Sequence, residues 1–186
     1  KQHQAKAARA YQKACDGGII EACYNIGNAY RDGRGVKQDF SKASTLYKKA
    51  CDSGFGDGCA DLGILYSKGR GVKQDFNKAL QVYEKACNSG VGGGCINIGN
   101  MYDKGKGVKR DPFKAVKFYE KACDGGTLMG CYNLGINYED GQGVEQDNSK
   151  AKKLYEKACA GGYAGGCLNL GGMYYYGKGV KKDSSK

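Results

Sequence analysis

Asp39–Gln74 reads DFSKASTLYKKACDSGFGDGCADLGILYSKGRGVKQ and is one copy of a unit that recurs along the whole chain. Its cysteines are the clearest marker. Cys15 and Cys23, Cys51 and Cys59, Cys87 and Cys95, Cys123 and Cys131, and Cys159 and Cys167 form pairs eight residues apart that recur every 36 residues. One structural unit has been copied five times. The frame gives one repeat domain over residues 1–186, with units at 1–36, 37–72, 73–108, 109–144 and 145–180 and a truncated further start at 181–186. A unit this short cannot bury its own hydrophobic face, so stacked copies must share one elongated core.

Each copy holds two helical patterns. In the first, Ala43, Tyr47 and Ala50 are spaced i, i+4, i+7 with Leu46 beside them, which is one face of a helix. Asp39 is a natural N-cap, and Lys49 falls in the last turn, where the helix dipole favours cations. In the second pattern Leu62, Gly63 and Tyr66 recur as Ile26, Gly27 and Tyr30, and likewise in the other copies. A mid-helix glycine costs roughly 1 kcal/mol against alanine. Its presence in every copy predicts that another backbone approaches closely there. Gly69 and Gly71 stop the helix, and Val72 anchors the loop to the next copy.

Each unit therefore reads as a helical hairpin, its first helix ending at the first Cys, a turn at Gly54, and its second helix starting at the second Cys. Residues eight apart on one continuous helix would lie about 12 Å apart along its axis. That exceeds the roughly 7 Å limit between bridged Cα atoms. A chain reversal brings the two within reach, so the pairing expected is within each pair. Bridges of this kind persist in secreted or periplasmic settings. Structural zinc sites space their cysteine pairs by two to four residues and add histidine or further cysteine. His3 is the only histidine here, so no metal site or cofactor is expected. Strand signals are absent, and Pro112 stands at a helix start. No apolar run approaches the ~18 residues of a membrane span.

The pattern Leu62-Gly63-x-x-Tyr66-x-x-Gly69-x-Gly71-Val72, followed by Asp75, Lys78, Ala79, Tyr83, Lys85, Ala86 and Cys87, resembles the Sel1-like repeat, a relative of the tetratricopeptide repeat. With the Cys pairs added, the chain is similar to the Helicobacter cysteine-rich protein family. The resemblance implies an all-α, right-handed α-solenoid of five disulfide-bridged hairpins, secreted or periplasmic and monomeric. It also implies a binding scaffold, with host interaction, penicillin binding or slow β-lactam hydrolysis among the family's associations.

No catalytic set accompanies those associations. Ser149 and Lys152 match S-x-x-K in one copy only, and the S-D-N and K-T-G elements of serine β-lactamases are missing. The candidate binding residues lie on the second helix of each copy. Asn25, Asn97, Asn133 and Asn169 precede the Leu/Ile-Gly pair, with Asp61 as the exception. In related tetratricopeptide clamps the matching asparagine holds a bound peptide's backbone or carboxylate; the other reading is a bond to a neighbouring repeat. Two neighbouring positions vary, as Tyr24, Ala60, Ile96, Tyr132, Leu168 and as Asn28, Ile64, Asn100, Ile136, Gly172. Tyr132 and Ile136 read as exposed apolar contacts, and Lys104 as a cation one turn on. The expected partner is a peptide, protein or cell-wall (peptidoglycan) fragment, or a β-lactam, with no specific nucleic acid. The formal charge of +11 comes from lysines such as Lys42 and Lys49, placed on the first helix, away from the groove. A purely structural array without a ligand is the third reading.

Overall fold

Asp39, Asp75, Asp111 and Asp147 each open a helix, their carboxylates accepting the backbone N–H of Lys42, Lys78, Lys114 and Lys150 at 2.9–3.0 Å. Each such cap stabilises its helix by about 1 kcal/mol. The computed structural model describes residues 2–179. Its helices are α1 (Gln2–Asp16), α2 (Ile20–Asp32), α3 (Phe40–Asp52), α4 (Gly56–Lys68), α5 (Phe76–Asn88), α6 (Gly92–Lys104), α7 (Pro112–Asp124), α8 (Leu128–Asp140), α9 (Asn148–Ala160) and α10 (Ala164–Tyr176). No strand occurs among the described residues. The chain forms two compact units that divide between Gly94 and Cys95, within α6.

Within a hairpin, the chain reverses at a glycine such as Gly54, whose φ of +86° is a conformation that side chains resist. The second helix starts three residues earlier than the sequence reading placed it, at Gly56, so Cys59 lies one turn inside α4. That brings Cys51 and Cys59 to a Cα separation of 4.5 Å and bridges them. Cys15–Cys23, Cys123–Cys131 and Cys159–Cys167 are bridged in the same way. Cys87 and Cys95 are also disulfide-bonded, and no described cysteine is free.

Contacts of three kinds join neighbouring hairpins. The first explains two invariant columns at once. A Cβ on Gly27 would lie 2.8 Å from the Tyr47 ring, one on Gly99 2.5 Å from Tyr119, and one on Gly135 2.6 Å from Tyr155. Gly63 is covered by Tyr83 in the same way. The close approach is thus made by a buried aromatic ring of the following copy, not by a backbone. Gly171 has no atom within 4 Å of its Cβ position, and Tyr11 is 41% exposed.

The other two contacts use lysines that the sequence reading placed away from the groove. Lys42, Lys78, Lys114 and Lys150 lie 5.1–5.7 Å from the ring centres of Tyr30, Tyr66, Tyr102 and Tyr138 in the preceding copy. Cation–π contacts of this kind stabilise by about 0.5–1 kcal/mol at exposed sites. Lys49 and Lys157 donate to the carbonyls of Cys15 and Cys123 at 3.1 and 3.3 Å. Those carbonyls end the first helix of the previous hairpin, where its dipole is negative. Gln38, Gln74 and Gln146 close the second helices by donating to the carbonyls of Arg31, Ser67 and Glu139.

Candidate functional site

The second helices carry the candidate residues, and much of their variation serves packing. The buried tyrosine of each following copy needs a partner for its hydroxyl. Tyr47 donates to Asn28 Oδ1 at 2.6 Å and Tyr119 to Asn100 Oδ1 at 2.8 Å. Where isoleucine replaces that asparagine, the residue one turn on takes over. Tyr155 donates to Glu139 Oε2 at 2.9 Å, and Tyr83 pairs with the Ser67 hydroxyl at 3.4 Å. Asn28 and Asn100 are therefore structural partners, and Ile64 and Ile136 are tolerated because Ser67 and Glu139 compensate.

The other variable column is matched across hairpins in the same sense. Tyr24 packs on Tyr47 and Phe55, and Tyr132 on Tyr155 and Tyr163. The smaller Ala60 shares its cluster with the smaller Val91. Tyr132 and Ile136, expected as exposed contacts, are both partly buried against the core of Ala151, Tyr155 and Met173. Burial wins because each ring or branch lies between two helices that stack.

Asp61 departs from the asparagine column for a local reason. Arg31 bridges Asp32 at 2.7 Å and Asp61 at 3.1 Å. Burial pushes the Asp61 carboxyl above its ordinary range despite Arg31, whereas the hydrogen bond from Arg31 holds Asp32 below it.

A cleft of about 200 Å³ opens in the second unit between α6 and α8. Asn100, Asp103 and Lys104 line it from α6, Asn133, Ile136 and Asn137 from α8, with Tyr119 and Gln142 closing it. Three of the expected residues meet there: Lys104, Asn133 and Ile136. Asn97 lies on α6 but does not line the cleft, and Tyr132 faces the aromatic cluster instead. Asn169 stands on α10 and does not line this cleft. Asn25 lines a separate cleft of about 350 Å³ between α1 and α2, with Gln4, Tyr11, Asn28 and Arg34. Burial pushes the Tyr119 phenol upward, and Asp103 adds to the shift, so the phenol stays neutral.

Sequence reasoning missed Asn137. Its column reads Ala29, Leu65, Met101, Asn137 and Met173, so it is the one polar member, and that contrast was the available signal. The S-x-x-K pair gains no base. Burial lowers Lys152, but Tyr174 and Glu156 outweigh it and hold the ammonium charged. Among the described residues no cluster of histidine, cysteine or carboxylate side chains is arranged to hold a metal, and no helix is long and apolar enough to cross a membrane.

The Sel1 repeat matches residues 20–55, 56–91, 93–127, 128–163 and 164–186, the same period framed from the second helix of each hairpin. No curated protein matches the chain. Among solved structures, a protective antigen of uropathogenic Escherichia coli strains displaying an SLR fold is 35% identical with a TM-score of 0.86. The match covers 93% of this chain and 37% of that one, so the chain spans little more than a third of that relative. A Sel1 repeat protein from Oxalobacter formigenes is 32% identical, TM-score 0.90, over 97% of this chain and 74% of its own. Helicobacter pylori cysteine rich protein B is 38% identical, TM-score 0.59, over 73% of this chain and 97% of its own.

Proposed function

Since the chain belongs to the Sel1 repeat family, we propose that it is a secreted or periplasmic scaffold that holds a peptide or protein segment against α6 and α8. The observation that carries this reading is the α6–α8 cleft, which gathers amide side chains, a lysine and an apolar side chain in one place. A bound peptide needs those three kinds of contact. Asn133 offers a donor and an acceptor together, the complement of a peptide group. Ile136 gives apolar contact, and the exposed Lys104 meets an acidic group at the rim. Asn97 extends the same helix face for the segment beyond the cleft. The bonded cysteines support an oxidising compartment.

Panning a random-peptide library on the oxidised protein, followed by calorimetry of selected peptides, tests this. Each lost hydrogen bond to a buried ligand amide costs about 1–3 kcal/mol, since its partner is left unsatisfied. Asn97→Ala combined with Asn133→Ala is expected to weaken binding at least tenfold while the melting temperature stays in place. Unchanged binding with early unfolding would make these asparagines pins between repeats and remove the reading.

A further inference from the structure

Two positions at which copy four departs from its columns line the same cleft. Asn137 stands where the other copies carry Ala29, Leu65, Met101 and Met173, and it is only 5% exposed. Gln142 stands where they carry Arg34, Arg70, Lys106 and Lys178. An amide in a core position is unfavourable unless fully bonded. Asn137 Nδ2 donates to the Gln142 carbonyl at 2.8 Å. The matching carbonyls of Arg34, Arg70 and Lys106 receive no side-chain hydrogen bond among the described residues, yet their loops close in the same way, so the fold does not require Asn137.

The remaining hydrogen-bonding capacity follows from the bonds already made. Asn100 uses its Oδ1 on the Tyr119 hydroxyl and keeps its two N–H donors. Gln142 uses its Oε1 on Arg110 at 3.1 Å and keeps its donors too. Asn137 commits a donor to Gln142 and keeps its Oδ1 as an acceptor. Asp103 adds a second acceptor, and Asn133 offers both functions. From this we infer that the cleft selects a neutral carboxamide, the side chain of an asparagine or glutamine in the bound segment. Its carbonyl takes the donors of Asn100 and Gln142, and its NH2 group gives to Asn137 and Asp103. A carboxylate has no hydrogen for those acceptors, and an ammonium has no lone pair for the donors. About 200 Å³ suits one side chain rather than a drug-sized ligand, which needs roughly 300–1,000 Å³. The inference rests on the cleft being the peptide-binding place.

The test titrates N-acetylglutamine methylamide and N-acetylglutamate methylamide into the full, oxidised, 15N-labelled chain. The glutamine probe is expected to shift the side-chain amide signals of Asn133 and Asn137 saturably, with glutamate at least tenfold weaker. Asn137→Leu restores the residue type of its column and is expected to cut glutamine binding at least tenfold while the melting temperature holds or rises. Gln142→Lys, also a column residue, is expected to turn the preference toward glutamate. Equal binding of the two probes, or full glutamine binding by Asn137→Leu, overturns the inference. Panned peptides that need Asn133 but show no preference for asparagine or glutamine overturn it while leaving the scaffold reading intact. A failure to find any peptide that needs α6 and α8 removes both.

Discussion

Replacing Gly99 by alanine sets two effects of opposite sign against each other. Helix propensity alone favours alanine by about 1 kcal/mol. The new Cβ, however, would lie 2.5, 2.8 and 3.0 Å from Cε1, Cδ1 and Cζ of Tyr119. Carbon atoms prefer about 3.5–4.0 Å, so the ring must withdraw by most of an ångström. Tyr119 has little room to do so: it is buried, and its hydroxyl is tied to Asn100 Oδ1 at 2.8 Å. Overpacking costs typically 1–3 kcal/mol, and a strained or lost hydrogen bond adds about 1 kcal/mol. The net expectation is a loss of roughly 1–3 kcal/mol, with Gly99→Leu worse. For a chain of this size each kcal/mol moves the melting temperature by roughly 2–4 °C. Gly171→Ala is the matched control, because nothing lies within 4 Å of its Cβ position. It gains propensity without a clash and is expected to raise stability by up to about 1 kcal/mol. Thermal unfolding followed by circular dichroism, disulfides intact, reads both variants. If Gly99→Ala and Gly171→Ala rise together, the ring-over-glycine contact is not what keeps glycine in that column.

Two further outcomes follow from the bridges and from Asp61. Peptide mapping without reductant is expected to recover each Cys joined to its partner eight residues away; replacing Cys123 and Cys131 by alanine should cost about 2.5 kcal/mol by loop entropy. Because burial raises the Asp61 carboxyl in the folded protein, folding takes up a proton there, and its contribution weakens stability as pH rises through the carboxylate range. Asp32, held low by Arg31, acts in the opposite sense and loses its contribution as pH falls. Asp61→Asn, the residue of its column, is therefore expected to match the parent chain in acid and exceed it at neutral pH. Urea titrations across that range check this, and a variant weaker at neutral pH would show that the Arg31 pair outweighs burial.

What could be read from one copy was read well. The Asp39 cap, the glycine stops and the Cys pairing depend on residues within a few turns of each other, and the structure places them as the spacing implies. The contacts that hold copies together were harder. Lys49 reaches Cys15 across 34 positions, and Tyr155 reaches Glu139 across 16. Such pairs need the register between hairpins, which no single helical wheel supplies. A signal did exist in the columns: isoleucine at Ile64 and Ile136 is accompanied by Ser67 and Glu139, while Asn28 and Asn100 need no such help. Reading variation as recognition overlooked that compensation. It also passed over Asn137, the one polar member of its column.

Photo-crosslinking tests the central claim most directly, since it locates a bound segment rather than its energy. Benzoylphenylalanine is placed at Lys104, on the rim of the α6–α8 cleft, and in a second variant at the exposed Lys117 on α7. The account predicts that a panned peptide is captured from position 104, that Asn97→Ala with Asn133→Ala abolishes the capture, and that position 117 gives none. Capture from position 117 but not from position 104 would place recognition on the first helices and contradict it.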